Sequence, residues 1–245
     1  MTKYFIGLFF ISLFFISCKK EKANFTSDSI NDYFPLQVGK YITYQLDSTL
    51  FINFGQKDTV VSYQVQDRVD AQITDNLGRP AYRIIRYIRK DTSEDWVPNN
   101  TFMATSTFNS LEYVENNLRF LKLEVPIKQD FSWKGNSYID TYSINSAQQY
   151  LDDWDYIYDS VDVPLTINSM SFDSTIKVFE RDEYEGDDPV GPTTLYAYKN
   201  YAFEKYAKGV GLIYREFLHW EYQGCVCPEH GYTGYGVTLS IIDHN

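Results

Sequence analysis

Between Asp58 and Thr74 the chain alternates with unusual regularity. Val61, Tyr63, Val65, Val69, Ala71 and Ile73 hold one parity, and Ser62, Gln64, Gln66, Arg68, Asp70, Gln72 and Thr74 hold the other. Period two over such a length excludes a helix and fixes a long strand with one wet face. Asp67 breaks the apolar parity, and a bulge or an exposed sheet end is the expected reason. Asp75-Asn76-Leu77-Gly78-Arg79-Pro80 follows, rich in residues that bond locally, accept positive φ or fix φ, so the run from Ala81 to Lys90 pairs back as a hairpin.

The same pattern predicts strands over Tyr41 to Ile52, Leu118 to Val125, Ser137 to Ile144, Val161 to Ile167, Thr175 to Phe179, Leu212 to Tyr222 and Tyr235 to Ile242. The 22 tyrosines suit pleated, half-buried surfaces. Helix is confined to two candidates. Asn200 to Lys208 has Phe203, Tyr206 and Ala207 on one side and Gly209 to end it, and Ser146 to Trp154 is the weaker one. The expected fold is mainly β: a single antiparallel curved sheet or open barrel with one or two short helices. Arg181 to Pro192, acidic and containing Gly and Pro, reads as an exposed loop. In the strand from Leu212 to Tyr222, apolar weight favours the parity of Leu212, Tyr214, Leu218, Trp220 and Tyr222 as the core face. His219 then falls on the polar face; the apolar one is expected to be ordinary core, and a groove opening where Glu216 interrupts it is the alternative.

The first residues are an address. Lys3 precedes an apolar-rich run from Tyr4 to Ile16, too short for the roughly 20 residues a membrane span needs, and Ser17-Cys18 closes it. The boundaries read as a signal peptide over residues 1–17, an acylated Cys18 with a polar tether over 18–31, and one β-rich domain over 32–245. With 44% hydrophobic residues the domain can bury a core and is not disordered. The 33 acidic against 22 basic residues exclude a nucleic-acid backbone as partner, since phosphate neutralisation needs clustered Lys and Arg.

Phe15-Ile16-Ser17-Cys18 resembles a bacterial lipobox, which implies cleavage before Cys18 and membrane lipid as a partner through the acyl anchor. Tyr33-Phe34-Pro35-Leu36 with Gly39 and Tyr44, the run from Tyr206 to Tyr214, His219-Trp220-Glu221-Tyr222 and the final Ile242-Asp243-His244-Asn245 resemble the start and close of an uncharacterised lipoprotein group of the Bacteroidota. The resemblance implies an exported, lipid-anchored β domain on the outer membrane and imports no activity. Lys19-Lys20 departs from the acidic residues that accompany surface export in that phylum, which favours the periplasmic side.

Chemistry-bearing residues are few. Cys225-Val226-Cys227-Pro228-Glu229-His230 places two thiols, a carboxylate and an imidazole together. Cys225 and Cys227 are a candidate strained disulfide, or loop thiols, and with Glu229 and His230 a candidate zinc site of irregular spacing. There is no G-x-S-x-G elbow, and Gly209-Val210-Gly211 lacks a third glycine for a dinucleotide. The acid pairs Asp152 with Asp153, and Glu183 with Asp187, are the candidates for acid–base work. Asp-Ser/Thr triplets at Ser29, Ser48, Thr59, Ser160 and Ser174 resemble the O-glycosylation acceptor of exported Bacteroidota proteins, to be occupied in exposed turns. The expected role is binding or scaffolding, with a glycan or apolar ligand and no cofactor, rather than catalysis. A glycan-handling or metal-assisted hydrolase acting through the acidic or the cysteine loop is the alternative.

Overall fold

The computed structural model describes residues 27–187, 190–191, 193–224 and 231–245. A four-residue helix, α1 (Ile30–Tyr33), precedes twelve strands: β1 (Tyr41–Ile52), β2 (Lys57–Thr74), β3 (Pro80–Arg89), β4 (Val97–Ser106), β5 (Ser110–Glu115), β6 (Leu118–Glu124), β7 (Ser132–Lys134), β8 (Asp155–Ile167), β9 (Met170–Glu185), β10 (Tyr196–Ala207), β11 (Gly211–Gln223) and β12 (Gly231–His244). All pairings are antiparallel, in the order β6-β5-β4-β3-β2-β1-β12-β11-β10-β9-β8-β7. The chain therefore winds outward in two hairpin meanders joined where β1 meets β12. The two edges come back together: Leu121 N–H donates to the Gly135 carbonyl at 2.8 Å, and the Trp133 indole donates to the Leu121 carbonyl at 2.7 Å. The sheet is thus nearly closed into a barrel, which protects both edge strands.

Closure requires the backbones of β6 and β7 to approach closely, and Gly135 permits it, because a Cβ there would overlap the ring of buried Tyr156. The helix end of the barrel is stoppered by α1. Ser29 and Asp32 form a capping box, Ile30 and Tyr33 are buried, and Gly209 N–H donates to the Asp32 carbonyl at 2.6 Å. Ile30, assigned to the tether by its polar neighbours, is therefore part of the core. Ser27 already packs, accepting from Ile127 N–H at 2.8 Å. On the outer wall lie ion pairs such as Arg83–Asp70, Lys177–Asp159 and Arg181–Glu183.

Several sequence expectations are corrected. Asn200 to Lys208 is not a helix: all but Lys208, which starts the following turn, lie in β10, where Ala202, Glu204 and Tyr206 point inward. The inward charge hid the alternation, leaving the accidental helical spacing of Phe203, Tyr206 and Ala207. Ser146 to Trp154 forms only a single 3-10 turn at Gln149–Leu151, and Ser137 to Ile144 is irregular rather than strand. Arg181 to Glu185 is the end of β9, so the acidic loop starts only at Gly186. Asp67 marks neither bulge nor sheet end. It points into the barrel opposite Arg86, and the register shift falls between Val69 and Ala71. On β11 the inner parity is Arg215, Phe217 and His219. Trp220 and Tyr222 instead belong to a satellite cluster with Ala197, Phe51, Leu218 and Tyr232 on the outside of the wall.

Candidate functional site

Seven of the twelve strands each contribute one charged residue to the lumen at a position where parity calls for an apolar one. β2 gives Asp67, β3 Arg86, β5 Glu115, β6 Lys122, β9 Glu180, β10 Glu204 and β11 Arg215. Together they form a charged layer across the barrel. Arg86 grips Asp67 through two bonds of 2.6 and 2.7 Å. Lys122 Nζ donates to Glu180 at 2.9 Å and to Glu204 at 2.7 Å, and the Tyr206 hydroxyl also donates to Glu204. Arg215 donates to Glu115 at 2.8 Å, while its buried Nε lies 3.6 Å from Glu204 and donates to nothing. Burial of charge on this scale is tolerated only because almost every member is paired.

The layer separates the carboxylates by acidity. Burial pushes Glu180 up to about 7, against the pull of Lys122. Burial also acts on Glu204, but there Lys122 and Arg215 outweigh it and keep the carboxyl below the usual range. Glu115 is held at about 2, because Arg215 and Arg86 overcome its burial. Glu180 is thus the carboxyl of the layer whose neutral form is favoured by burial, in contrast to Glu204 and Glu115.

Two cavities flank the layer. The one toward α1, of about 60 Å³, lies among Phe34, Ile42, Val69, Ile84, Tyr206 and Leu212 and has room for a few waters. The one toward the opposite end is larger, about 240 Å³. Its floor is the charged layer, its walls are Leu46, Leu118, Phe120, Phe217, Trp154 and Val237, and its mouth carries Ser48, Asn99, Asn100 and Asn116. Convergent polar groups under apolar walls are the composition of a small-molecule pocket. The connection between β7 and β8 roofs it. Tyr150 lays its ring on His219 with centroids 3.8 Å apart and meets the Tyr235 hydroxyl at 3.4 Å. The roof is anchored by Trp154, whose indole donates to the Tyr150 carbonyl, and by Asn136, which links the Leu151 carbonyl to the Tyr156 hydroxyl. His219 is therefore a lumenal residue, not one on an outer polar face. Its Nδ1 bonds Asn200, and burial lowers its pKa to about 4, so the ring is neutral at physiological pH.

Of the residues singled out in the sequence, Cys18, Cys225, Cys227, Glu229 and His230 lie outside the described residues. The acid pairs are not brought to a common site. Asp152 accepts from Thr141, Asp153 pairs with Lys134, Glu183 with Arg181, and Asp187 accepts from Thr194. Among the described residues, no group of three or more His, Cys, Asp and Glu is arranged to hold a metal ion. The glycan-acceptor candidates do not lie in turns. Ser29 caps α1, Ser48, Thr59, Ser160 and Ser174 sit within β1, β2, β8 and β9, Ser174 meets the Tyr33 hydroxyl at 3.0 Å, and Ser48 lines the larger cavity.

Comparison with known proteins adds little to this geometry. No protein-family profile and no curated protein matches the chain. Among solved structures, a protein of Bacteroides fragilis described as exported, with a YmcC-like fold, aligns with a TM-score of 0.43 and 11% identity over 86% of this chain and 99% of its own.

Proposed function

We propose that this chain is an exported envelope protein, tethered through an acylated Cys18 to the periplasmic side of the outer membrane, whose barrel binds a small molecule in its lumen. The observation that carries the binding role is the cavity of about 240 Å³. It is floored by buried charge and walled by aromatic and aliphatic side chains, an arrangement that a purely structural barrel would fill with side chains. The tether supports the reading by its length. Eight residues lie between Cys18 and Ser27, and the nine steps from one to the other give about 30 Å of reach from a bilayer at full extension. The charged layer is better explained as recognition than as stability, because replacing buried ion pairs with packed apolar residues is commonly neutral or stabilising.

Ligand linkage tests the binding role. Protein purified from its own envelope melts several degrees higher than the same protein after unfolding, dialysis and refolding, and an organic extract of that envelope restores the difference. Identical melting before and after stripping would overturn the binding role. The anchor is tested separately: Cys18→Ala leaves the membrane fraction or accumulates unprocessed. Processing and membrane fractionation like the parent would refute lipidation at this residue.

A further inference from the structure

The distribution of charge across the layer is uneven, and the unevenness selects a ligand. Asp67 and Glu204 border only the cavity toward α1. The floor seen from the larger cavity is Arg86, Lys122 and Arg215 against Glu115 and Glu180, three cations facing two carboxyls. One of those carboxyls, Glu180, has its acidity weakened by burial, which favours its neutral form relative to an ordinary glutamate. Asp67 and Glu204 hold Arg86 and Lys122 from the α1 side, so the face of the layer turned toward the larger cavity is the one where the cations are presented.

A second observation points the same way. Arg215 Nε is buried and donates to nothing, although Nη1 of the same guanidinium donates to Glu115 at 2.8 Å. A buried donor without an acceptor is costly, and the group that would relieve it is an acceptor, best an anionic one. Above the floor the pocket turns apolar, through Leu46, Leu118, Phe120, Phe217 and Val237. Resting on the lumenal binding role proposed above, we infer that the larger cavity accepts a small amphipathic organic anion. Its carboxylate or equivalent head is received by Arg215, Lys122 and Arg86, and its apolar body lies along the walls beneath Tyr150 and Trp154. A cationic amphiphile of the same shape is disfavoured, because its head would meet the cationic side of the layer. A neutral one would offer the Arg215 Nε no anionic acceptor within hydrogen-bond distance.

The test uses three probes that share one tail: decanoate, decan-1-ol and decylamine, titrated calorimetrically into the ligand-stripped mature protein. The inference predicts one site, with decanoate at least about tenfold tighter than decylamine, or about 1.4 kcal/mol, and decan-1-ol between them. Arg215→Gln removes most of the decanoate preference. Because that change also unpairs Glu115 and can impair folding, a second variant is made at the exposed mouth. Asn100, the cross-strand neighbour of Arg86, is changed to Asp, which weakens decanoate more than decan-1-ol. If the probes bind in the lumen with equal affinity, or decylamine binds best, the anion assignment is overturned while the binding role stands. If none of the three binds and the stripped protein also fails to recover a ligand from envelope extract, the binding role falls with it.

Discussion

Lys122→Met is the perturbation that the charged layer answers most sharply. Lys122 is 4% exposed and holds two carboxylates at once, Glu180 at 2.9 Å and Glu204 at 2.7 Å. Methionine matches its stem in volume and leaves the packing against Phe120 and Tyr156 in place, so the loss is electrostatic. Removing one partner of a buried ion pair costs about 3–5 kcal/mol, because the other partner is left charged and unpaired. The cost depends on pH, and its sign follows from Glu180. Burial raises its folded pKa to about 7, so its contribution to stability is complete below the unfolded value of about 4.5 and is lost as pH rises through 7. Without Lys122 that pKa rises further. At about pH 5.5 Glu180 is then protonated and neutral, and only Glu204, still bonded to Tyr206 and near Arg215, bears the loss. Urea unfolding therefore gives the full cost at about pH 8 and roughly half of it at about pH 5.5. The double variant Lys122→Met with Glu180→Gln regains more than half of the loss at the higher pH, which a double-mutant cycle reads as coupling. A single variant as stable as the parent at about pH 8, or a double variant no better than the single, would refute the layer as a coupled network.

Three further outcomes follow. His219→Gln reduces acid sensitivity: the neutral ring contributes stability above its unfolded pKa of about 6.5 that is lost as pH falls through about 4, so the melting temperatures of parent and variant converge on acidification. Equal pH slopes for the two would show that His219 is not buried neutral. Gly135→Ala drives a methyl into the Tyr156 ring and costs about 1–3 kcal/mol by strain, with faster exchange of the Leu121 amide at the barrel seam in hydrogen-exchange measurements. Unchanged protection of Leu121 would mean that the seam does not depend on that close approach. Trp220→Ala costs about 3 kcal/mol by denaturant unfolding, because Trp220 is buried against Tyr222 and Tyr232, yet it leaves lumenal binding intact since the cluster is on the outer wall. Loss of decanoate binding in a folded Trp220→Ala protein would contradict that placement.

The sheet was legible wherever one parity stayed apolar. β1 matches its expected bounds, and β2, β3, β6, β11 and β12 fall within a few residues of theirs, because side-chain alternation and turn chemistry act locally. β4, β5 and β7 were missed: β4 opens with Val97-Pro98-Asn99-Asn100 at the mouth, where polar residues are solvated, and β7 is only three residues long. The site was hidden by the same logic. A charge at core parity reads as an interruption, as at Asp67, and in β10 the inward Glu204 broke the alternation enough to suggest a helix. The signal was nevertheless present in Ile84-x-Arg86-x-Ile88, Phe120-x-Lys122, Val178-x-Glu180 and Ala202-x-Glu204-x-Tyr206. One charge between apolar neighbours on several strands of one sheet is the mark of a shared polar layer. Which charge meets which depends on strand order and register, which no local pattern encodes. Closure of β6 on β7 is of the same kind, since it brings together residues from the two ends of the sheet.

The central claim is that the lumen, not the outer wall, holds the ligand. Native mass spectrometry of the parent and of Val237→Trp, both purified from the host envelope, tests it directly. Val237 lines the larger cavity across from Phe217, and an indole there occupies much of the space. The account predicts that the parent carries a small-molecule adduct released on unfolding and that the folded variant carries none. The same adduct retained at the same occupancy by a folded Val237→Trp protein would contradict it.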